Sequence, residues 1–262
     1  MDLNGIKVNY FSAGQGEAEK LPAVLFLHGW GSEFSSFKYF LDSISPYYRV
    51  FAPDLPGFGQ SAEPPEAWSM DDYADFVLDF MKELTIDRVI LIGHSFGGRI
   101  SIKLAARRNL PVSIEKIVLV DSAGIRRKRT VKQNMELCFY KAVRRFLSVE
   151  FVRRRYPGFL EKWRNKHASP DYLNATPRMR ECLVKVVNED LTPCLSEISC
   201  PSLLIWGEQD YEVPLEDGKI MERLIPDAGL VTLKNAGHYP FADQGFVFLK
   251  VLDSFLNIKR NP

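Results

Sequence analysis

The 262-residue chain is short of several things, and each shortage removes a class of explanation. It carries four cysteines, Cys138, Cys182, Cys194 and Cys200, and no Cys-x-x-Cys pair. That spacing excludes a small disulfide scaffold, and the thiols are expected to be reduced and mostly buried. Its four histidines, His28, His94, His167 and His238, are scattered rather than set at ligand spacing, so no metal site is expected. No apolar run approaches the roughly 20 residues of a membrane span, and no secretory leader pattern opens the chain. The expectation is a cytoplasmic protein with no membrane span. Charge of one sign is also missing. The formal net charge is +1, which gives no indication of nucleic acid as a partner. The Gly14-Gln15-Gly16 pattern precedes no helix start and reads as a loop rather than a phosphate cradle. No nucleotide, flavin or metal motif occurs, and no cofactor is expected.

What is present has a globular composition, 46% hydrophobic and 12% aromatic. Residues 1–10 look like a strand. Short apolar runs at 23–27, 49–52, 89–92, 117–120, 202–205 and 230–233 read as buried parallel strands. Helical patterns at 36–44, 70–84, 97–108, 216–225 and 246–256 fall between and after them. Strand and helix in alternation predict an α/β fold with a mostly parallel sheet flanked by helices on both faces. In such sheets, ligands bind at the carboxyl ends of the strands.

The alternation stops between residues 122 and 190. Segments 131–149, 150–156 and 177–187 read as amphipathic helices, separated by Pro157, Pro170 and Pro177. This predicts an all-helical cap, 122–190, inserted into a core made of 1–121 and 191–262. The cap carries 17 basic and 7 acidic residues, leaving 17 basic and 26 acidic for the core. The near-neutral total therefore hides a basic cap on an acidic body.

The motif that carries chemistry is Gly93-His94-Ser95-Phe96-Gly97, directly after one strand and before a helix. In that context Gly-x-Ser-x-Gly is a nucleophile elbow. The serine sits on a sharp, strained turn that lifts its hydroxyl above the sheet. The flanking positions must be small because side chains there would collide. The second motif is His28-Gly29-Trp30-Gly31 after the strand at 23–27. A tetrahedral intermediate needs preorganised amide donors, and the backbone N–H groups of Trp30 and Phe96 are the candidates. Gly29 and Gly31 let that loop come close. His28 is expected to hold the loop by a hydrogen bond rather than to react.

With these motifs the chain resembles the α/β-hydrolase superfamily with an inserted helical cap. The resemblance spans nearly the whole length. It adds Asp54-Leu55-Pro56-Gly57-Phe58-Gly59-Gln60-Ser61, Trp206-Gly207-Glu208-Gln209-Asp210 and Gly237-His238. The family order of nucleophile, acid and histidine is kept. The resemblance implies Ser95 as nucleophile, His238 as base and Asp210 as the acid that orients it. Asp121, ending the strand at 117–120, is the rival acid. His94 is expected to pack or bond locally, and His167 to lie in the cap. Aspartate-dependent dehalogenases and epoxide hydrolases of the family are excluded, because a serine stands where they need aspartate.

Serine chemistry in this fold implies an acyl-enzyme and a small-molecule acyl substrate, a carboxylic ester or thioester first. The dense cations Arg126-Arg127-Lys128-Arg129, Arg144-Arg145 and Arg153-Arg154-Arg155 are either a solvated face or a field that draws an anionic or carrier-protein-linked substrate. Trp30, Phe96, Phe139, Tyr140, Trp163, Tyr211, Tyr239 and Phe241 are the aromatics expected near the cleft. A carbon–carbon bond hydrolase is the alternative within enzymes. Those relatives usually have Asn before the serine and Trp after the late histidine, where this chain has His94 and Tyr239. A non-enzymatic ligand receptor on the same fold is the alternative from another class. Gly124, at the cap entrance, is a candidate hinge.

Overall fold

Every residue of the strand Ala23–Leu27 is buried. Successive strand side chains point to opposite faces, so Ala23, Leu25 and Leu27 enter one core while Val24 and Phe26 enter the other. A sheet covered on both faces explains why its strands read as unbroken apolar runs.

The structure is a computed structural model and describes residues 1–14, 20–126, 135 and 169–260. Its strands are β1 Asp2–Leu3, β2 Ile6–Lys7, β3 Tyr10–Ala13, β4 Ala23–Leu27, β5 Val50–Pro53, β6 Arg88–His94, β7 Ser113–Val120, β8 Ser202–Gly207 and β9 Ala228–Leu233. Its helices are α1 Lys38–Ile44, α2 Met70–Glu83, α3 Phe96–Ala105, α4 Pro170–Asn174, α5 Pro177–Asn188, α6 Leu215–Leu224, α7 Pro240–Asp243 and α8 Gly245–Leu256. Seven strands form one sheet in the order β3-β5-β4-β6-β7-β8-β9, parallel except for β3. Helices α1 and α8 close one face with Phe40, Leu41, Phe248 and Leu252. Helices α2, α3 and α6 close the other with Phe80, Ile100 and Met221. The start of α2 is set by a capping box, in which Ser69 accepts from the Asp72 amide and the Asp72 carboxylate accepts from the Ser69 amide. Among the described residues, no helix is long and apolar enough to cross a membrane.

Several expectations need correction. Residues 1–10 are not one strand. Asn4 and Gly5 both have positive φ, so the chain turns there into the two-residue strands β1 and β2. The edge strand β3 pairs antiparallel with β5. Strand β9 is the opposite edge, and only Leu233 in it is buried. Of the cysteines, Cys182 is buried but Cys194 and Cys200 are half-buried, and Cys138 lies outside the described residues. The cap segments 131–149 and 150–156 and His167 also lie outside them. Pro177–Asn188 is a helix as expected, started by Thr176, whose hydroxyl accepts from the Met179 amide. The chain on either side of the expected cap is joined where the Leu191 amide donates to Gly124 O at 2.9 Å.

The turn between β6 and α3 is where the sheet meets its tightest contact. Ser95 has φ 50° and ψ −107°, a conformation costly for a residue with a Cβ. A Cβ on Gly93 would lie 2.5 Å from Gly97 O, and one on Gly97 would lie 2.0 Å from Leu27 O. The second clash is with the neighbouring strand β4, not with the turn itself. Gly98 is equally constrained, since a Cβ there would lie 2.1 Å from Ser122 Oγ. Gly97→Ala is therefore expected to cost at least about 1–3 kcal/mol by overpacking against rigid backbone. Denaturant unfolding of the variant checks this, and an unchanged midpoint would contradict the packing argument.

Candidate functional site

Three loops at the carboxyl ends of β6, β8 and β9 bring Ser95, Asp210 and His238 together. Ser95 is pinned by its own backbone. Its amide donates to Val120 O at 3.0 Å, and its carbonyl accepts from the Ala123 amide at 3.2 Å. Asp210 is buried, and its two oxygens divide their work. Oδ1 accepts from the Glu212 and Val213 amides at 2.8 and 2.9 Å, and Oδ2 accepts from His238 Nδ1 at 2.8 Å. Burial pushes this carboxyl up. The His238 hydrogen bond and the Val213 amide outweigh burial and hold it below its ordinary value. With Nδ1 engaged, the Nε2 edge of His238 is left for the cleft that Ser95 and His238 both line. The exposed carboxylate of Glu212 lies 3.7 Å from Nε2.

The loop carrying Asp210 is held from beneath. The fully buried Trp206 donates from Nε1 to Val213 O at 2.8 Å. The Gln209 amide donates to Ala236 O at 2.8 Å, which ties the acid loop to the histidine loop. A Cβ on Gly207 would lie 2.1 Å from Gly237 O, so only glycine allows that approach.

Trp30 and Phe96 face each other, with ring centroids 5.2 Å apart at 76°, and Phe58 packs against Trp30 at 4.8 Å. Their amides take part in no hydrogen bond among the described residues. They therefore remain free to donate to an oxyanion. Gly29 brings this loop against the elbow, since a Cβ there would lie 2.8 Å from His94 Nδ1. Gly31 has φ +72°, which glycine adopts freely.

His28 is a buried clasp between two loops. Its Nε2 accepts from the Leu55 amide at 2.9 Å, so Nδ1 is the protonated nitrogen and donates to Gly29 O at 2.8 Å. Burial lowers its pKa and outweighs the Gly29 hydrogen bond, which keeps the ring neutral. His94 does for the histidine loop what His28 does for the oxyanion loop. Its Nε2 donates to His238 O at 2.7 Å, and burial, aided by His238, pushes its pKa down to about 3. Asp54, in the sequence stretch shared with hydrolases, accepts from Asn9, the Phe34 amide and the Gln60 amide, at 2.8, 2.9 and 3.0 Å. Sequence reasoning assigned Asp54 no role; its place in a Gly- and Pro-rich turn was the available signal.

Asp121 does not bond His238. It accepts from the Gly207 amide at 3.0 Å through Oδ1, and it sits against Asp210. Ligand-capable atoms of Asp121, Asp210 and His238 lie within 4.8 Å of one another. Both Asp210 oxygens already accept hydrogen bonds, so the cluster is organised for sharing protons rather than for gripping an ion.

The aromatic expectations are met unevenly. Tyr211 is 91% exposed, and Phe241 packs with Phe37 and Phe40 beneath the sheet, away from the cleft. Tyr239 packs against His94 and His238 but is half-exposed. Phe139, Tyr140 and Trp163 lie outside the described residues, as do Arg127 to Arg129, Arg144, Arg145 and Arg153 to Arg155. The cleft has a volume of about 310 Å³ and is walled by Ile125, Leu183, Val186, Val187 and Val213, with Arg99 and the acids Asp171, Glu212 and Asp217 among its lining.

The depressed Asp210 pKa has a stability consequence with a definite sign. Its contribution is fully present above the unfolded value of about 4 and is lost as pH falls through the lower folded value. Wild type is therefore expected to lose stability relative to Asp210→Asn as pH drops below about 4. Melting curves of both proteins through the acid range test this, and parallel curves would contradict it.

A family model described as alpha/beta hydrolase fold matches residues 22–244. The 2-hydroxy-6-oxo-6-phenylhexa-2,4-dienoate hydrolase of Burkholderia cepacia is 27% identical over 278 residues, covering 97% of this chain and 92% of the relative. A thermophilic esterase from Thermogutta terrifontis superposes with a TM-score of 0.71 at 25% identity, covering 96% of this chain and 93% of the other. A meta-cleavage product hydrolase from Pseudomonas fluorescens gives 0.69 at 25%, covering 97% and 96%. With the family model spanning most of its length and the sheet, elbow and loops arranged as described, the chain belongs to the α/β-hydrolase family and is an enzyme of the hydrolase type.

Proposed function

We propose that the chain is a serine hydrolase that cleaves a carboxylic ester or thioester through an acyl-enzyme on Ser95. The observation that carries this reading is the buried His238–Asp210 pair at 2.8 Å, set in the same cleft as Ser95 and beside two unbonded amides. Ser95 Oγ attacks the acyl carbonyl, and His238 Nε2 takes its proton. Asp210 holds the imidazole in the tautomer that presents Nε2 and stabilises the cation that forms. The carbonyl oxygen becomes an oxyanion between the Trp30 and Phe96 amides. Collapse expels the leaving group, which takes the proton back from His238. Water, deprotonated by the same nitrogen, then releases the acid.

The cleft supports an apolar acyl group, because Ile125, Leu183, Val186 and Val187 wall it. A second hollow, about 340 Å³, shares Trp30 and Asp171 with the cleft and is also lined by Glu63, Asn174 and Thr176. Its polar rim suits a leaving group. Hydrolysis of a carbon–carbon bond next to a ketone is the second reading. It is favoured by the dienoate hydrolases among the relatives, at 27% identity over nearly the whole chain. The same serine and oxyanion site serve either reaction, so the leaving group decides between them.

A panel of p-nitrophenyl esters of increasing acyl length, acyl thioesters and a 2-hydroxy-6-oxo-dienoate separates these readings, at two salt concentrations. Ester turnover is expected in wild type, with Ser95→Ala lowering kcat by about 10⁴-fold or more. Preference for the dienoate would establish the carbon–carbon reading instead. Tight ligand binding with no turnover of any substrate would favour a receptor. Loss of rate at high salt on anionic substrates only would give the basic residues of the cap a part in substrate capture.

A further inference from the structure

Asp121 is a buried carboxyl that the proposed reaction does not use. It is fully buried at the end of β7, and its backbone is turned to φ 40°. One oxygen accepts from the Gly207 amide, and the other, Oδ2, accepts from no donor among the described residues. The titratable groups facing it from the packed elements are Asp210 on the loop after β8, His238 on the loop after β9, and Asp243 on α7. Among the described residues no lysine or arginine stands with them, and Asp210 already accepts from the His238 imidazole.

Two buried carboxylates in contact cannot both be ionised, because each penalises the charge of the other. The hydrogen bonds decide which one holds the proton. Asp210 accepts three N–H donors, from Glu212, Val213 and His238, and every one favours its anion. Asp121 accepts one. An oxygen buried beside another acceptor, with no donor among the described residues, is the position of a hydroxyl.

We propose that Asp121 is a positioning residue, a neutral carboxylic acid whose Oδ2–H donates to the Asp210 carboxylate and holds it on His238. Burial pushes the Asp121 carboxyl up to about 9, with the neighbouring Asp210 and Asp243 acting in the same direction. The proton therefore stays in place across the neutral range. The role of Asp121 rests on the serine-hydrolase reading, whereas its protonation does not. Asp210 gains a third kind of partner besides backbone amides and imidazole, one that neutralises part of its charge without competing for Nδ1. The rival acid of the sequence is thus a partner of the acid.

The test compares Asp121→Asn, Asp121→Ala and wild type. Asparagine reproduces a neutral acid: its carbonyl accepts from Gly207 and its amide donates to Asp210. Asp121→Asn is expected to keep kcat within about threefold, and Asp121→Ala to lose tenfold or more in kcat with KM little changed. Two readouts do not depend on any activity. Wild type is expected to show, by infrared difference spectroscopy at neutral pH, the carbonyl stretch of a protonated carboxylic acid that Asp121→Asn lacks. Because folded Asp121 keeps a proton that the unfolded chain releases above about pH 4, wild-type stability falls relative to Asp121→Asn as pH rises toward 9. Absence of both signals shows an ionised Asp121 and overturns the proposal. If both signals appear but Asp121→Ala matches wild type in kcat, the proton is present and the positioning role is overturned. If no variant or wild type turns over any ester, the serine-hydrolase reading fails while the two proton readouts still decide the state of Asp121.

Discussion

The first turn of α3 lies against the end of β4 with no room for a side chain between them, and the site is built outward from that contact. A Cβ on Gly97 would sit 2.0 Å from the Leu27 carbonyl. This approach lets the chain reverse at Ser95 in a backbone state that a serine does not choose by itself. The buried strands on either side supply the energy that holds the strain. Leu27 leads directly into His28 and Gly29, so the same contact brings the oxyanion loop beside the nucleophile. A Cβ on Gly29 would already meet His94 Nδ1 at 2.8 Å and Ser95 Cβ at 3.4 Å. The proposed nucleophile and its two proposed amide donors are thus set by backbone packing rather than by side-chain choice.

Around this contact the polar groups are buried and arranged in mutual support. His28 clasps the loops at Gly29 and Leu55, and His94 holds His238 by its carbonyl. Asp54 gathers three separate chain segments. Buried groups of this kind stabilise only when partnered, and losing a partner costs more than the bond contributed. The loops at the strand ends therefore resist independent motion. That rigidity matters to the proposed reaction, because an oxyanion site that must reorganise as charge develops loses most of its advantage.

The parts of this arrangement that were legible in the sequence are those that short range imposes. A serine between two glycines, after an apolar strand and before a helix, can be read without knowing the neighbours. The sheet was legible for the same reason, since strands buried on both faces are continuous apolar runs. The order of Ser95, Asp210 and His238 could be carried over by resemblance. The contacts were not legible. Nothing local says that Gly97 must avoid Leu27, that Gly98 must avoid Ser122, or that His94 reaches the carbonyl of His238, 144 residues away. The turn at Asn4-Gly5 splits a stretch that the sequence alone reads as one strand. The edge position of β9 depends on which strand pairs where, and sequence period alone does not carry that.

The same division separates the chemistry from its substrate. The reacting groups sit on strand ends of the core, where packing dictates them. The walls of the cleft are shared, with Leu183, Val186 and Val187 on α5 and Asp171 on α4 joining Arg99, Val213 and His238. Trp30, T-shaped to both Phe58 and Phe96, lines both the cleft and the second hollow. In the proposed reaction the oxyanion lies at the Trp30 amide, so the bond to be broken lies beside this indole. The indole borders both the cleft and the second hollow, which gives the acyl and leaving portions of the proposed substrate two spaces to occupy. Residues of α4 and α5 complete the walls of both, so what fits there is set by these helices as much as by the strand ends.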